Sequence, residues 1–552
     1  MVQVPSIPPW LPLQQLFLLV AVLGSLVAAR RFSPDEPRWG NLLRRRFVLG
    51  VPWGSVLTVL GVVSVYWILQ GGWADPQRPL SIPYYSWSYF YPLGMVVSSF
   101  AHRSLGHVTG NMIGTVAFAP IVEYAWGHYP RGRGSESFAS LRTNPYARIL
   151  AVPVGAALVG LFTSVFSLGP VIGFSGVVFA FAGFAFVTRP LMAIAALVAS
   201  DTLRLFWRAI RNPQITARAG PGFSSPWFAD VAIQGHAMGL LAGVVLGVYV
   251  LDRRESTPNP LYLWLAAVLY AVDQTLWAVY LPTGSSEYIL FRAVGLGLVF
   301  VLAAMIVAAV ATSDRPLVPG IDLSRRETAV GAVVVLLLAV SVVAVPFNLT
   351  TVEGPVSPGT ETIDIRDYTV TYVENEPNRF ATVVDTSVFG EISDLRSSGV
   401  VVYSERRNVW YEAIPKGRLK SAGRSSVQIG GIGWSERVFA FREGWSAVGN
   451  GSTYRVSLQH GGDRRVAYTA TPVRAEPILS GRNVSIAPVD GGFGLRVAEG
   501  NTTLGLAPIP DPGNETAVGG LTINRTGRDL YAIDNDTRVR IAKKNVPRSR
   551  QN

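Results

Sequence analysis

Ten apolar runs punctuate the first two thirds of this 552-residue chain: Leu11–Ala29, Phe47–Leu69, Ser104–Trp126, Ala147–Leu168, Pro170–Thr188, Leu191–Trp207, Ala229–Leu251, Leu261–Leu281, Leu290–Thr312 and Thr328–Phe347. About 20 apolar residues rising 1.5 Å each cover the hydrocarbon core of a bilayer, so each run predicts a membrane-spanning helix. After Phe347 the pattern changes. A linker with Pro355, Pro358 and Gly359 leads into short β-prone runs such as Thr382–Val388, Val400–Tyr403, Tyr454–Leu458 and Arg538–Ile541, separated by glycine-rich turns. These predict an all-β domain of about 200 residues, a sandwich in preference to a barrel.

Composition agrees with a largely membrane-embedded chain: 49% of residues are hydrophobic and the mean hydropathy is +0.31. The net charge of +12 is unevenly spread. Residues 1–346 hold 23 Arg, no Lys and 14 acidic residues, and residues 347–552 hold 25 basic and 22 acidic ones. Arginines lie between the apolar runs, where they report topology and make no nucleic-acid patch. Arg30, Arg31, Arg38 and Arg44 to Arg46 place the first loop inside, followed by Arg131, Arg133 and Arg142, then Arg189, then Arg253 and Arg254, then Arg315, Arg325 and Arg326. Arg204, Arg208, Arg211 and Arg218 depart from that alternation. Ten spans then leave both termini, and the β domain, outside the cell membrane.

The β domain carries seven Asn-x-Ser/Thr acceptors, Asn348, Asn450, Asn483, Asn501, Asn514, Asn524 and Asn535, whereas none of the five asparagines before Asn348 begins one. That contrast predicts an outward, glycosylated domain. With no cysteine in the chain, disulfides, thiol nucleophiles and thiolate metal ligands are excluded.

Five histidines occur, His102, His107, His128, His236 and His460. Ionisable groups are costly inside a membrane and tend to be kept there for function. His107 and Asn111 are four apart and share a helix face, with His102 just before them. Taken alone they serve equally as an interhelical polar clamp. Ser175 lies between Gly173 and Gly176, where backbone can approach closely. His236 is followed by Gly239, Gly243 and Gly247, a stripe on which another helix can pack and bring the imidazole to a neighbour. Peptide-bond hydrolysis needs a nucleophile, a base and oxyanion donors. Ser175 fits the first role, His236 the second, and Asn111, His107 and the Ser175 backbone N–H the third. No acid is placed to complete a triad, so the base must be held by packing, with Phe179 one turn after Ser175 able to stack on it. No cofactor is required and no histidine–carboxylate set has metal-ligand spacing.

These residues resemble the rhomboid intramembrane serine proteases. The resemblance rests on His102-x4-His107-x3-Asn111, Gly173-Phe-Ser175-Gly176 and Gly235-His236-x2-Gly239-x3-Gly243, and covers about residues 47–251. It implies a six-helix core with a Ser175/His236 dyad that opens outward and cleaves other membrane proteins in or beside their spans. Phe47–Leu69 would be its first helix and Ala229–Leu251 its sixth, with the fifth helix and the loop before Ala229 as gates. The family often has Tyr at the position of Phe179, and its usual Trp-Arg pair is absent from Trp87–Met95. The implied division is 1–46, an N-terminal helix and basic loop; 47–255, the protease core; 256–347, three added helices; and 348–552, the β domain. Expected partners are transmembrane substrates, the bilayer, and a molecule met by the β domain at the outer surface. A rival expectation is a non-catalytic rhomboid-like receptor or chaperone that binds transmembrane helices. A third is a transporter with Asp273 as its coupling site. Asp201/Arg204 and Asp273/Gln274 read as local polar contacts.

Overall fold

The computed structural model describes residues 12–32, 43–44, 46–126, 138, 140–141, 143–213, 232–282, 288–312, 315–316, 323–349, 351–352, 361–377, 396–449 and 451–545. Arg38, Arg45, Arg131, Arg133, Arg142, Arg218, His128, Asn450, the linker Pro355 to Gly359, the run Thr382–Val388 and most of the loop before Ala232 lie outside them. The chain forms two compact units, a helical one ending at Asn348 and one made chiefly of Leu349–Asn552.

The helical unit contains α1 (Leu13–Phe32), α2 (Trp53–Ser64), α3 (Pro92–Val97), α4 (Leu105–Trp126), α5 (Pro145–Phe166), α6 (Ser175–Thr188), α7 (Pro190–Arg211), α8 (Ile233–Asp252), α9 (Pro260–Asp273), α10 (Arg292–Ala311) and α11 (Arg325–Val342). Every apolar run thus contains a helix. Among the described residues, six helices are long and apolar enough to cross a membrane, and α1, α2, α6 and α9 are shorter apolar helices. Local chemistry sets several starts. Asn144 and Asn259 accept N–H bonds ahead of Pro145 and Pro260, and Ser324 with Glu327 forms a capping box.

Among the boundaries that differ from the apolar runs, three stand out. The run beginning at Phe47 turns helical only at Trp53, because Leu49 and Gly50 take left-handed conformations. The run beginning at Leu261 leaves the helix after Asp273. The run beginning at Pro170 turns helical at Ser175, since Gly169 (φ 77°) and Gly173 (φ 130°) hold the preceding stretch in a loop. At 14 residues α6 is roughly 21 Å long, short of the ~30 Å hydrocarbon thickness. Beyond Ser175 all of its residues are buried, so it is the central post of the helical core.

Two charged side chains satisfy helix ends. Buried Glu123 accepts the N–H groups of Gly54 (3.2 Å) and Ser55 (2.9 Å) and so caps α2. Arg254 donates to the Ala125 and Trp126 carbonyls at the end of α4.

The second unit is antiparallel β structure in one eight-stranded and two four-stranded sheets. Trp445, Ile523, Leu530 and Ile541 of the large sheet share a core with Val484, Ile486, Leu495 and Val497 of the sheet Val473–Pro508. Buried residues alternate with more exposed ones along strands such as Arg482–Val489 and Leu521–Thr526, and the two sheets enclose one core between them, as in a sandwich.

One glycosylation expectation is overturned. Asn348 is 1% exposed, its Nδ2 donates to the Val165 (2.9 Å) and Ser167 (3.1 Å) carbonyls, and its own carbonyl accepts from Ser88 Oγ and Tyr89 N–H. An amide nitrogen used in this way has no room for a glycan. Asn501, Asn514 and Asn535 are exposed, and Asn483 and Asn524 are half-buried on strands.

Candidate active site

Ser175 opens α6 and His236 lies in the first turn of α8, and the way these helices pack fixes their separation. A Cβ on Gly239 would meet the Gly176 carbonyl oxygen at 2.0 Å, one on Gly243 the Ala180 carbonyl oxygen at 2.0 Å, and one on Gly183 the Leu240 carbonyl oxygen at 2.3 Å. The two backbones therefore touch along three successive turns, a contact that only glycine permits. At the top of that seam Ser175 Oγ and His236 Nε2 are 2.8 Å apart.

Proton transfer from Oγ requires Nε2 to be the acceptor and places the imidazole proton on Nδ1. His236 Nδ1 is buried and bonds to nothing among the described residues. The ring is instead held by Phe179, whose centroid lies 4.2 Å away with 12° between the planes. Stacking, and no carboxylate, is the contact that orients this ring's far side among the described residues.

The loop before Ser175 is fastened to the segment before α4. Gly173 N–H donates to the Ser98 carbonyl at 2.9 Å, Val171 N–H to Ser86 Oγ at 3.1 Å, and Ser86 N–H to the Val171 carbonyl at 3.1 Å. Behind it, the buried hydroxyls of Ser98, Ser99, Thr163 and Ser164 bond to one another and to the Gly160 carbonyl. Trp87 is buried and donates to the Ile82 carbonyl at 2.7 Å. These bonds brace the loop that lacks a Trp-Arg pair.

His107 and Asn111 converge on Gly173. A Cβ there would meet His107 Cε1 at 2.5 Å and Nε2 at 2.7 Å, and Asn111 Nδ2 at 3.5 Å, so this position requires glycine both for its φ and for its neighbours. Asn111 Nδ2 lies 3.0 Å from His102 Nε2, and the His102 and His107 rings meet edge to face at 5.0 Å. His102 is 0% exposed. An amide nitrogen carries two hydrogens, so Asn111 can be held by His102 and still offer one donor. The Ser175 N–H, in the first turn of α6, adds backbone and helix-dipole character to the same corner.

Three contributors have no periodic signature in the sequence. Gln70 donates to the Leu80 and His102 carbonyls (2.8 and 2.7 Å) and accepts the His102 N–H (2.8 Å), which fixes the start of the histidine segment. Gln234 donates to the Phe166 and Val340 carbonyls, both at 2.8 Å, and accepts the Leu168 N–H at 2.9 Å, which anchors α8. Tyr270 of α9 meets Phe179 edge to face at 5.2 Å.

The polar residues read as local contacts come close to the site. Asp201 and Arg204 pair at 2.9 Å, and with Asp273 and Gln274 they line a cavity of about 490 Å³ that also reaches His236 and Phe179. His460 sits in the β unit, 3.4 Å from Glu436. No group of histidines and carboxylates that could hold a metal occurs among the described residues.

The family model described as Rhomboid domain matches residues 90–253. No curated protein and no solved structure matches the chain.

Proposed function

From a multi-pass membrane chain that belongs, through residues 90–253, to the rhomboid family, we propose an intramembrane serine protease that hydrolyses peptide bonds in or beside the transmembrane segments of other proteins. The observation that carries this reading is the 2.8 Å contact between Ser175 Oγ and His236 Nε2, with Phe179 stacked behind the imidazole.

Ser175 Oγ attacks the scissile carbonyl carbon as its proton passes to His236 Nε2. The oxyanion that forms is met by the Ser175 N–H, Asn111 Nδ2 and His107. His236 returns the proton to the leaving amine, and the C–N bond breaks to leave an ester on Ser175. A water molecule, deprotonated by the same nitrogen, attacks that ester and releases Ser175. The substrate helix must unwind locally, because its carbonyls are otherwise bonded within the helix and shielded.

In this reading residues 47–255 form the protease core, 256–347 add three helices, and the β domain, beginning near residue 348, faces outward from the cell membrane with Asn501, Asn514 and Asn535 as its exposed acceptors. The test is cleavage of a model transmembrane substrate by purified wild-type and Ser175→Ala proteins. Wild type cleaves and Ser175→Ala falls to background; equal cleavage by both removes the reading.

A further inference from the structure

The buried residues of α9, Leu263, Ala266, Ala267, Tyr270 and Ala271, form one stripe at helical spacing. Three are alanines, which let the helix come close to its neighbours. Tyr270 is the one ring among them and is 3% exposed. It meets Phe179 at 5.2 Å and 76°, Phe118 at 5.5 Å and 90°, and Phe186 at 6.3 Å. The helix lies beyond the matched residues 90–253, yet its ring touches the residue that stacks on His236. The same helix ends in Asp273, which with Gln274 walls the cavity beside that histidine.

We propose that Tyr270 is a positioning residue, through which α9 completes the active site by holding Phe179 flat against His236. Among the described residues the imidazole is held by two contacts, the Nε2 bond to Ser175 Oγ and the Phe179 ring. Its Nδ1 bonds to nothing among the described residues, so Phe179 is what keeps the ring from tilting about its single hydrogen bond to Ser175. Phe179 blocks it only while its own plane is set, and the perpendicular edge of Tyr270 sets that plane against Phe118 and Phe186. The role belongs to the ring and not the hydroxyl, which is buried without a hydrogen-bond partner among the described residues. The inference rests on the proteolytic reading for its consequence but not for its geometry.

The test uses the full chain in detergent, labelled at its five histidines, with the His236 signal assigned by its loss in His236→Gln. Ring protons beneath Phe179 resonate upfield. Tyr270→Phe keeps that shift and stays within about twofold of wild type in kcat, while Tyr270→Ala loses the shift and lowers kcat by about 100-fold with KM little changed. Tyr270→Leu, which fills most of the volume without a ring, gives the same loss of shift in a protein that remains folded. An unchanged His236 signal in Tyr270→Leu or Tyr270→Ala overturns the positioning role whatever the protease assay gives. A lost shift alongside a wild type that cleaves nothing upholds the positioning role and sinks the proteolytic reading instead.

Discussion

Gly239 and Gly176 lie so close that a Cβ on Gly239 would stand 2.0 Å from the Gly176 carbonyl oxygen, and the same holds for Gly243 and Ala180. Backbone cannot yield as a side chain can, so Gly239→Ala or Gly243→Ala must part α6 from α8 by about 1 Å or more, a displacement that can cost about 100-fold in kcat. Gly247→Ala, whose Cβ meets the Val187 side chain at 2.9 Å, is the milder change. Steady-state kinetics on the three variants check this order, and an equal loss in all three would contradict it.

His102 and Asn111 act as a unit if His102 holds the amide that faces the oxyanion. Asn111→Ala then lowers kcat by about 100- to 1000-fold, the usual cost of one oxyanion donor. His102→Ala lowers it less, and in the Asn111→Ala background adds little. Additive losses in the double variant would separate the two residues.

Gln70 satisfies both backbone groups of His102 with one buried side chain. Gln70→Leu removes the partner of the His102 N–H and of the His102 and Leu80 carbonyls, at about 1–3 kcal/mol for each group left unsatisfied. We expect a lower melting temperature together with lower kcat, because the segment bearing His102 and His107 loses its anchor. A variant that melts lower with unaltered kcat would make Gln70 purely structural.

The β unit is predicted to weaken in acid. Burial pushes the Asp367 carboxyl up, but the hydrogen bonds and charge of Arg407 more than offset this and hold it below its ordinary value. Glu374 is likewise pushed up by burial and brought below its ordinary value by Lys416, Tyr454 and Tyr372. A carboxyl whose folded value lies below the unfolded one contributes stability that is complete above an unfolded pKa of about 4 and is lost as pH falls through the folded value. Asp367 and Arg407 side chains are 15% and 11% exposed, so Asp367→Asn, which removes the opposite charge from beside the guanidinium, costs about 3 kcal/mol near neutral pH and flattens the acid dependence. Hydrogen exchange of the strand Tyr368–Pro377 in the full chain reads both effects; exchange that does not respond to Asp367→Asn would contradict them.

Much of the site was legible because helices repeat. The four-residue spacing of His107 and Asn111 and of Gly239, Gly243 and Gly247 states which side chains share a face, and the structure shows the glycine face meeting α6 and the His107 and Asn111 face meeting the loop before it. The start of α6 was not legible from hydropathy. Residues 170–174 are as apolar as a span but form a half-buried loop, where bonds with Ser86 and Ser98 hold the backbone of Val171 and Gly173 in place of a helix. Gln70 and Gln234 were missed because a side chain bonding to distant carbonyls leaves no pattern along the chain. Asn348 misled because an acceptor triplet says nothing of burial. Tyr270 looked like any aromatic in an apolar helix, and only its position against Phe179 distinguishes it.

The central claim is that Ser175 and His236 share a proton. The most direct measurement is covalent labelling by a fluorophosphonate, in which the activated serine oxygen displaces fluoride from phosphorus and the adduct is mapped by mass spectrometry. The account predicts one adduct on Ser175 in the full chain and its loss in His236→Ala. No adduct on Ser175, or labelling that persists without the histidine, would contradict it.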